Sequence, residues 1–239
     1  MISLNPTLML TLLLASGSAR AATGGASPTG PWLDADPDAP LLAEPDEADL
    51  DTPTPCPTWM LRDGVELPEI PELYHRMRPS RAWGTPELVD LLVDTAAEVQ
   101  FLRPDVDRFV VGDLSKRRGG TLSGHRSHKG GIDADVGLYF YDGQQHDYGF
   151  LEPVNAAFDT ETNWLVIRTM LESGLVDRIL IDQRFVDKLR RHAVETGDLT
   201  TDEASAVFPR DKQDWWKPGV VHHAAGHRDH LHVRVRCER

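Results

Sequence analysis

The sequence predicts an α+β fold, a small central antiparallel sheet flanked by helices. Three features predict it. Apolar residues recur at helical spacing after Thr85-Pro86-Glu87 and again after Asp159-Thr160. Residues 132–140 and 231–236 alternate between two faces as strands do. Short runs rich in branched apolar residues at 108–112 and 178–182 supply further buried strands, in an irregular order that suits helices packed on an antiparallel sheet.

The first stretch of chain stands apart. Residues 1–21 are expected to be a secretory signal: Leu8-Met9-Leu10-Thr11-Leu12-Leu13-Leu14-Ala15 is a short apolar core, and Ala19-Arg20-Ala21 a small-x-small cleavage site. Eight residues cannot span a bilayer, so the mature chain is expected to carry no integral membrane segment and to be periplasmic or secreted. Residues 22–57 are rich in Pro, Gly, Asp and Ala and bury too little to order themselves, which predicts a disordered acidic linker. No Lys or Arg occurs between Ala21 and Leu61, while Asp34, Asp36, Asp38, Glu44, Asp46, Glu47, Asp49 and Asp51 account for much of the net charge of -13. The remainder is only mildly acidic and shows no nucleic-acid footprint. Cys56 and Cys237 make an even count, which permits one disulfide outside the cytoplasm, and neither lies in a C-x-x-C pair. The folded domain is expected over 58–239, with order beginning near Trp59 or Leu67.

Within that domain each element has a local cause. Thr85 caps a helix that has Pro86 at its first position and Glu87 in its first turn; Leu88, Leu91, Leu92, Ala96 and Val99 form its apolar stripe, and Pro104 lies beyond its end. Residues 108–112 read as a buried strand, and 115–131 as a Gly- and Ser-rich loop. In the strand at 132–140, Asp133, Asp135 and Gly137 share one face and Ile132, Ala134, Val136 and Leu138 the other. Asp159 or Thr160 caps a second helix ended by Gly174; a strand follows at 178–182; a third helix runs from 184 to 196 and stops at Gly197. Residues 231–236 close the sheet.

Two clusters carry the chemistry. Ser123-Gly124-His125-Arg126-Ser127-His128-Lys129-Gly130-Gly131-Ile132-Asp133-Ala134-Asp135 is followed about ninety residues later by Gly226-His227-Arg228-Asp229-His230-Leu231-His232. Five of the ten histidines fall here. The composition points to one divalent metal where the clusters meet, namely zinc, which takes neutral imidazole and carboxylate. His230 and His232 are two apart on a strand and face the same way, with Cα atoms roughly 6.5–7 Å apart. One of them can therefore ligate while the other faces a bound water. Gly130 and Gly131 allow close backbone approach. Asp133 is expected to orient an imidazole. His75, His146 and His192 read as surface residues, and the pair His222-His223 stays open. No H-E-x-x-H, G-x-S-x-G or S-x-x-K run is present.

The His128-to-Asp135 spacing (His-x6-Asp) with His230-Leu231-His232 (His-x-His) resembles the LAS metallopeptidases, the group of lysostaphin, the D-Ala-D-Ala peptidases and sonic hedgehog. The longer strings around both motifs, with Arg81-Ala82-Trp83-Gly84, Val111-Gly112-Asp113-Leu114-Ser115 and Arg118-Gly119-Gly120, are similar to one branch, the penicillin-insensitive murein endopeptidases. The resemblance covers roughly 56–239. It implies zinc held by His128, Asp135 and His232, with His230 as general base and His125 and His227 as further catalytic residues. Either of those two, if protonated, would help hold an oxyanion. The implied reaction is metal-assisted hydrolysis of peptide cross-links in peptidoglycan. The same scaffold also carries D,D- or L,D-carboxypeptidases that trim stem peptides, and zinc-holding binding modules without catalysis. Arg126 and Lys129-Gly130 depart from the small or amide residues common in that branch, which bears on substrate preference.

Overall fold

The computed structural model describes residues 59–141, 150, 157–209 and 220–236. The expected signal, the acidic linker, Cys56, Cys237 and His146 lie outside these residues. Among the described residues no helix is long and apolar enough to cross a membrane.

The strands are β1 (Val65–Glu66), β2 (Tyr74–Arg76), β3 (Trp83–Gly84), β4 (Phe109–Val111), β5 (Asp133–Gly137), β6 (Val176–Ile181), β7 (Val221–His223) and β8 (His230–Val235). The helices are α1 (Pro86–Leu102), α2 (Thr160–Glu172), α3 (Gln183–Glu195) and α4 (Thr201–Val207). β1 and β3 form a small antiparallel pair; the main sheet has six strands in the order β2-β4-β5-β8-β6-β7. Its central pairs, β4-β5, β5-β8 and β8-β6, are antiparallel as expected. The two edge pairs, β2-β4 and β6-β7, run parallel. Each edge pair is joined through helix: α1 lies between β2 and β4, and α3 and α4 lie between β6 and β7, the long crossover that parallel strands require.

The helices start where the sequence places caps. The Thr85 hydroxyl accepts from the Leu88 amide, the Asp159 carboxylate from Thr162, and the Asp182 carboxylate from Arg184. α4 starts with a reciprocal capping box between Thr200 and Glu203. Leu88, Leu92, Ile167, Met170 and Leu189 are buried in one apolar cluster with Ala134, Val136, Leu231 and Val233. That cluster takes one face of β5 and β8. The alternate residues, Asp133, Asp135, His230, His232 and Arg234, are left for the other face.

The loop between β4 and β5 is pinned at Gly119 and Gly131. Gly119 has φ +71° and pairs with Met60; Gly120 N–H is shared between the carbonyls of Trp59 and Lys129. Gly131 has φ +74°, and its carbonyl accepts from the Thr85 amide at 2.8 Å. Gly130 is not among the positive-φ residues, so of the two glycines expected to shape this turn only Gly131 takes a left-handed conformation. A Cβ on Gly119 would press on the Lys129 carbonyl oxygen and lie 2.5 Å from the Leu61 amide nitrogen, both backbone atoms that cannot swing aside. We expect Gly119→Ala to destabilise the fold by about 2 kcal/mol or more, from left-handed strain plus overpacking. Urea unfolding monitored by tryptophan fluorescence measures this; an unchanged midpoint would show that the loop is not pinned there.

Candidate metal centre

β5 and β8 place the site. Their register sets Asp133 opposite Arg234, Asp135 opposite His232 and Gly137 opposite His230. The loop from β4 crosses this face and brings His125 and His128. It is anchored by Asp113, which is fully buried and accepts from Arg78 at 3.0 Å, from Arg81 at 2.7 Å and from His125 Nε2–H at 2.9 Å. Burial raises the Asp113 pKa, but the two arginines and His125 prevail and hold it below the usual carboxylate value.

Three ligand atoms then converge. His128 Nε2 lies 3.1 Å from His232 Nδ1 and 3.2 Å from Asp135 Oδ1, and the last two are 3.1 Å apart. A tetrahedral zinc with bonds of about 2.0–2.1 Å sets its ligand atoms about 3.3 Å apart, so the triangle has the size such an ion needs. The outward nitrogens are also engaged. His128 Nδ1–H donates to the Leu114 carbonyl at 2.7 Å, and His232 Nε2–H donates to Asp133 at 2.8 Å. Arg234 grips Asp133 with two N–H groups, at 2.8 and 3.1 Å. Imidazoles that bind metals are oriented in this way by a carbonyl or carboxylate on the far nitrogen. Asp133 therefore orients an imidazole, as its place in the sequence suggested.

His125 offers a competing third corner: its ligand atom, with those of His128 and Asp135, lies within a 4.8 Å span. The His232 triangle is tighter, and one nitrogen of His125 is already committed to Asp113. The remaining expected residues gather around the triangle. His125 packs 4.2 Å from His128, ring centre to ring centre, and its Nδ1 is 3.5 Å from Asp135 Oδ2. His230 Nε2 is 3.8 Å from Asp135 Oδ1, while its Nδ1–H donates to Asp229 at 2.6 Å. Phe150 stacks on the His230 ring at 4.9 Å. The His227 ring is 4.9 Å from that of His230 and 5.9 Å from that of His232, and its Nδ1–H donates to the Ala225 carbonyl at 3.2 Å.

The charges follow from this geometry. Burial disfavours a charge on His232, but its hydrogen bonds to Asp133 and Asp135 prevail and push it up to about 9. Burial raises Asp133, yet His232 and Arg234 hold it at about 2; Asp135 is held far below its ordinary value by His128 and His232. His227 is pushed down to about 4 by burial and then by the charges of His230 and His232, and His125 is lowered by burial and by His128. Both are neutral near pH 7. Each also has its N–H in use, on the Ala225 carbonyl or on Asp113, so the expected cationic oxyanion donor is not found in either.

A family model described as penicillin-insensitive murein endopeptidase matches residues 60–199. The chain belongs to the penicillin-insensitive murein endopeptidase family. A curated relative of that name from Pectobacterium atrosepticum is 27% identical over 176 residues, which cover 68% of this chain and 55% of the relative. The chain thus spans about half the length of the curated relative it matches. The family match contains His125, His128, Asp133 and Asp135 but ends before His230 and His232, which the β5-β8 pairing brings to the same place, and before His227, which packs on both.

Of the other histidines, His75 and His192 are half-buried. His222 is buried on β7, and His223 Nδ1 accepts from the Gln183 amide at the start of α3, so this pair sits away from the triangle at the sheet edge. Asp113, Asp229, Arg234 and Phe150 join the site through contacts that the histidine and aspartate spacings do not give. The string Val111-Gly112-Asp113-Leu114-Ser115 was the available signal for the first.

The His232 shift gives a pH test on protein stripped by a chelator. A pKa raised from 6.5 to about 9 contributes stability that is fully present below pH 6.5 and lost as pH rises through 9. The Asp133 shift contributes above pH 3.8 and is lost as pH falls toward 2. The His227 shift, from 6.5 down to about 4, contributes stability that is present above pH 6.5 and lost as pH falls toward 4. We expect the stripped protein to be most stable near pH 6.5 and to lose on the order of 2–3 kcal/mol by pH 9.5. Urea melts across that range check this, and a flat profile above pH 6.5 would contradict the buried Asp133-His232-Asp135 arrangement.

Proposed function

We propose that the chain is a zinc-dependent endopeptidase that hydrolyses peptide cross-links in peptidoglycan, in the periplasm or outside the cell. Residues 58–239 form the peptidase domain, after a signal at 1–21 and an acidic linker at 22–57. The observation that carries the reading is a metal-sized triangle of His128, Asp135 and His232 with a carboxylate-oriented imidazole, His230, beside it, in a chain of this family.

His128 Nε2, Asp135 Oδ1 and His232 Nδ1 are the groups that would hold the ion. A bound zinc supplies Lewis-acid chemistry, polarising a carbonyl and making water acidic enough to attack near neutral pH. The protein's own residues do the rest. Asp229 takes the Nδ1–H of His230, which leaves Nε2 as the basic nitrogen toward the centre. His230 Nε2 takes the proton of the attacking water and returns it to the leaving amine. Phe150 limits the His230 ring to one plane. His125 and His227, neutral and with their N–H groups engaged, line the site beside the triangle. A binding module needs the triangle but has no use for a base fixed by its own carboxylate, so the Asp229-His230 pair favours catalysis.

The test is digestion of purified sacculi and of cross-linked muropeptide dimers by the full chain. We expect monomers from dimers, loss of activity with a chelator, recovery with zinc, and no effect of penicillin. Release of only a terminal D-Ala would instead indicate a carboxypeptidase. His232→Ala should lose bound zinc, whereas His230→Ala should keep most of it and lose turnover by about 10²–10⁴-fold. Equal zinc loss in both variants would sink the division of roles.

A further inference from the structure

The loop that delivers His125 and His128 has a second property. Residues 114–132 contain Lys116, Arg117, Arg118, Arg126 and Lys129 and no Asp or Glu, in a chain of net charge -13. Lys116, Arg117, Arg118 and Arg126 are exposed and Lys129 is half-buried. Arg126 sits between the two site histidines in the chain.

None of the five pairs with a carboxylate among the described residues. Lys116 donates to the Thr121 carbonyl at 2.6 Å. The Arg117 guanidinium lies 5.3 Å from the centre of the Trp83 ring, and Lys129 Nζ lies 4.0 Å from the centre of the Trp59 ring, a side chain left 64% exposed. These contacts order the cations without neutralising them. The contrast with Arg78 and Arg81 is direct, since both of those pair with the Asp113 carboxylate. Like charges gathered on one short loop repel each other, so the arrangement costs stability unless an anion meets it.

We propose that this loop is the docking rim for the free carboxylates of peptidoglycan stem peptides, with Arg126 the member next to the reacting centre. This rests on the peptidase reading above. Stem peptides offer several carboxylates along an extended chain, and guanidinium groups match that chemistry with two-pronged hydrogen bonds. The rim sets substrate affinity and approach. It does not touch the reacting atoms, so these are specificity residues.

The experiment uses the full chain and the triple variant Arg117→Gln, Arg118→Gln, Arg126→Gln, with zinc content measured in both. On soluble cross-linked muropeptides the variant should show KM raised about tenfold with kcat within about twofold. Amidating the substrate carboxylates should raise the wild-type KM by the same factor and remove the difference between the two proteins. Co-sedimentation with sacculi gives a readout independent of cleavage. Wild type should bind native sacculi more tightly than amidated ones, and should bind equally well after hydrofluoric acid has removed phosphate polymers. Loss of binding on that treatment would assign the rim to a phosphate polymer and overturn the proposal. A variant with wild-type KM, or a wild type indifferent to amidation in both assays, would also overturn it. If the wild type cleaves nothing yet still discriminates native from amidated sacculi, the peptidase reading fails while the rim stands.

Discussion

Asp135 and His232 lie 97 residues apart in the chain and meet at 3.1 Å across β5 and β8, with Asp133 and Arg234 one register step away. Two carboxylates, two imidazoles and a guanidinium thus share one face of a sheet whose other face is the apolar core. Charges placed there lose their hydration, and only mutual pairing or a cation keeps such a cluster tolerable. The rest of the domain meets that demand. Arg234 takes two bonds to Asp133, the Leu114 carbonyl fixes His128, and Asp113 with two arginines tethers the loop that carries His125 and His128.

This constraint separates holding from reacting. The two nitrogens and the oxygen of the triangle are buried, and the imidazoles are locked by bonds behind them. His230, one pleat further along β8, is turned toward the centre but lies farther from Asp135 and is fixed by its own sequence neighbour Asp229. One strand therefore presents two imidazoles to the same face at a spacing set by the β repeat alone. The lowered pKa values of His125 and His227 belong to the same picture: crowded, partly buried imidazoles shed their protons, while His232 between two carboxylates keeps its own.

Much of this was legible in the sequence because its causes are local. Thr85-Pro86 and Asp159 announce α1 and α2 by capping chemistry, and the alternation at 132–140 and 231–236 put Asp133 with Asp135 and His230 with His232 before any pairing was known. The observed β5, Asp133–Gly137, is shorter than 132–140 because pairing ends where the chain turns away, and β8, His230–Val235, is shifted by one residue from 231–236. The parallel edges were not legible, since a strand of three residues such as β2 or β7 carries no pattern and its direction is set by helical crossovers. α4, seven residues long, is too short to carry an apolar stripe, and its one sequence signal is the capping box of Thr200 and Glu203. Asp113 looks like any loop aspartate until the fold surrounds it with Arg78, Arg81 and His125. Asp229 and Phe150 act through contacts with His230 that no spacing rule gives.

The central claim is that His128 Nε2, Asp135 Oδ1 and His232 Nδ1 form the metal seat. Diffraction from crystals grown with zinc, collected on both sides of the zinc absorption edge, tests it most directly. The account predicts one anomalous peak bonded to those three side chains, with His230 near it but not bonded. A peak ligated by His125 in place of His232, or no peak on this face of the sheet, would contradict it.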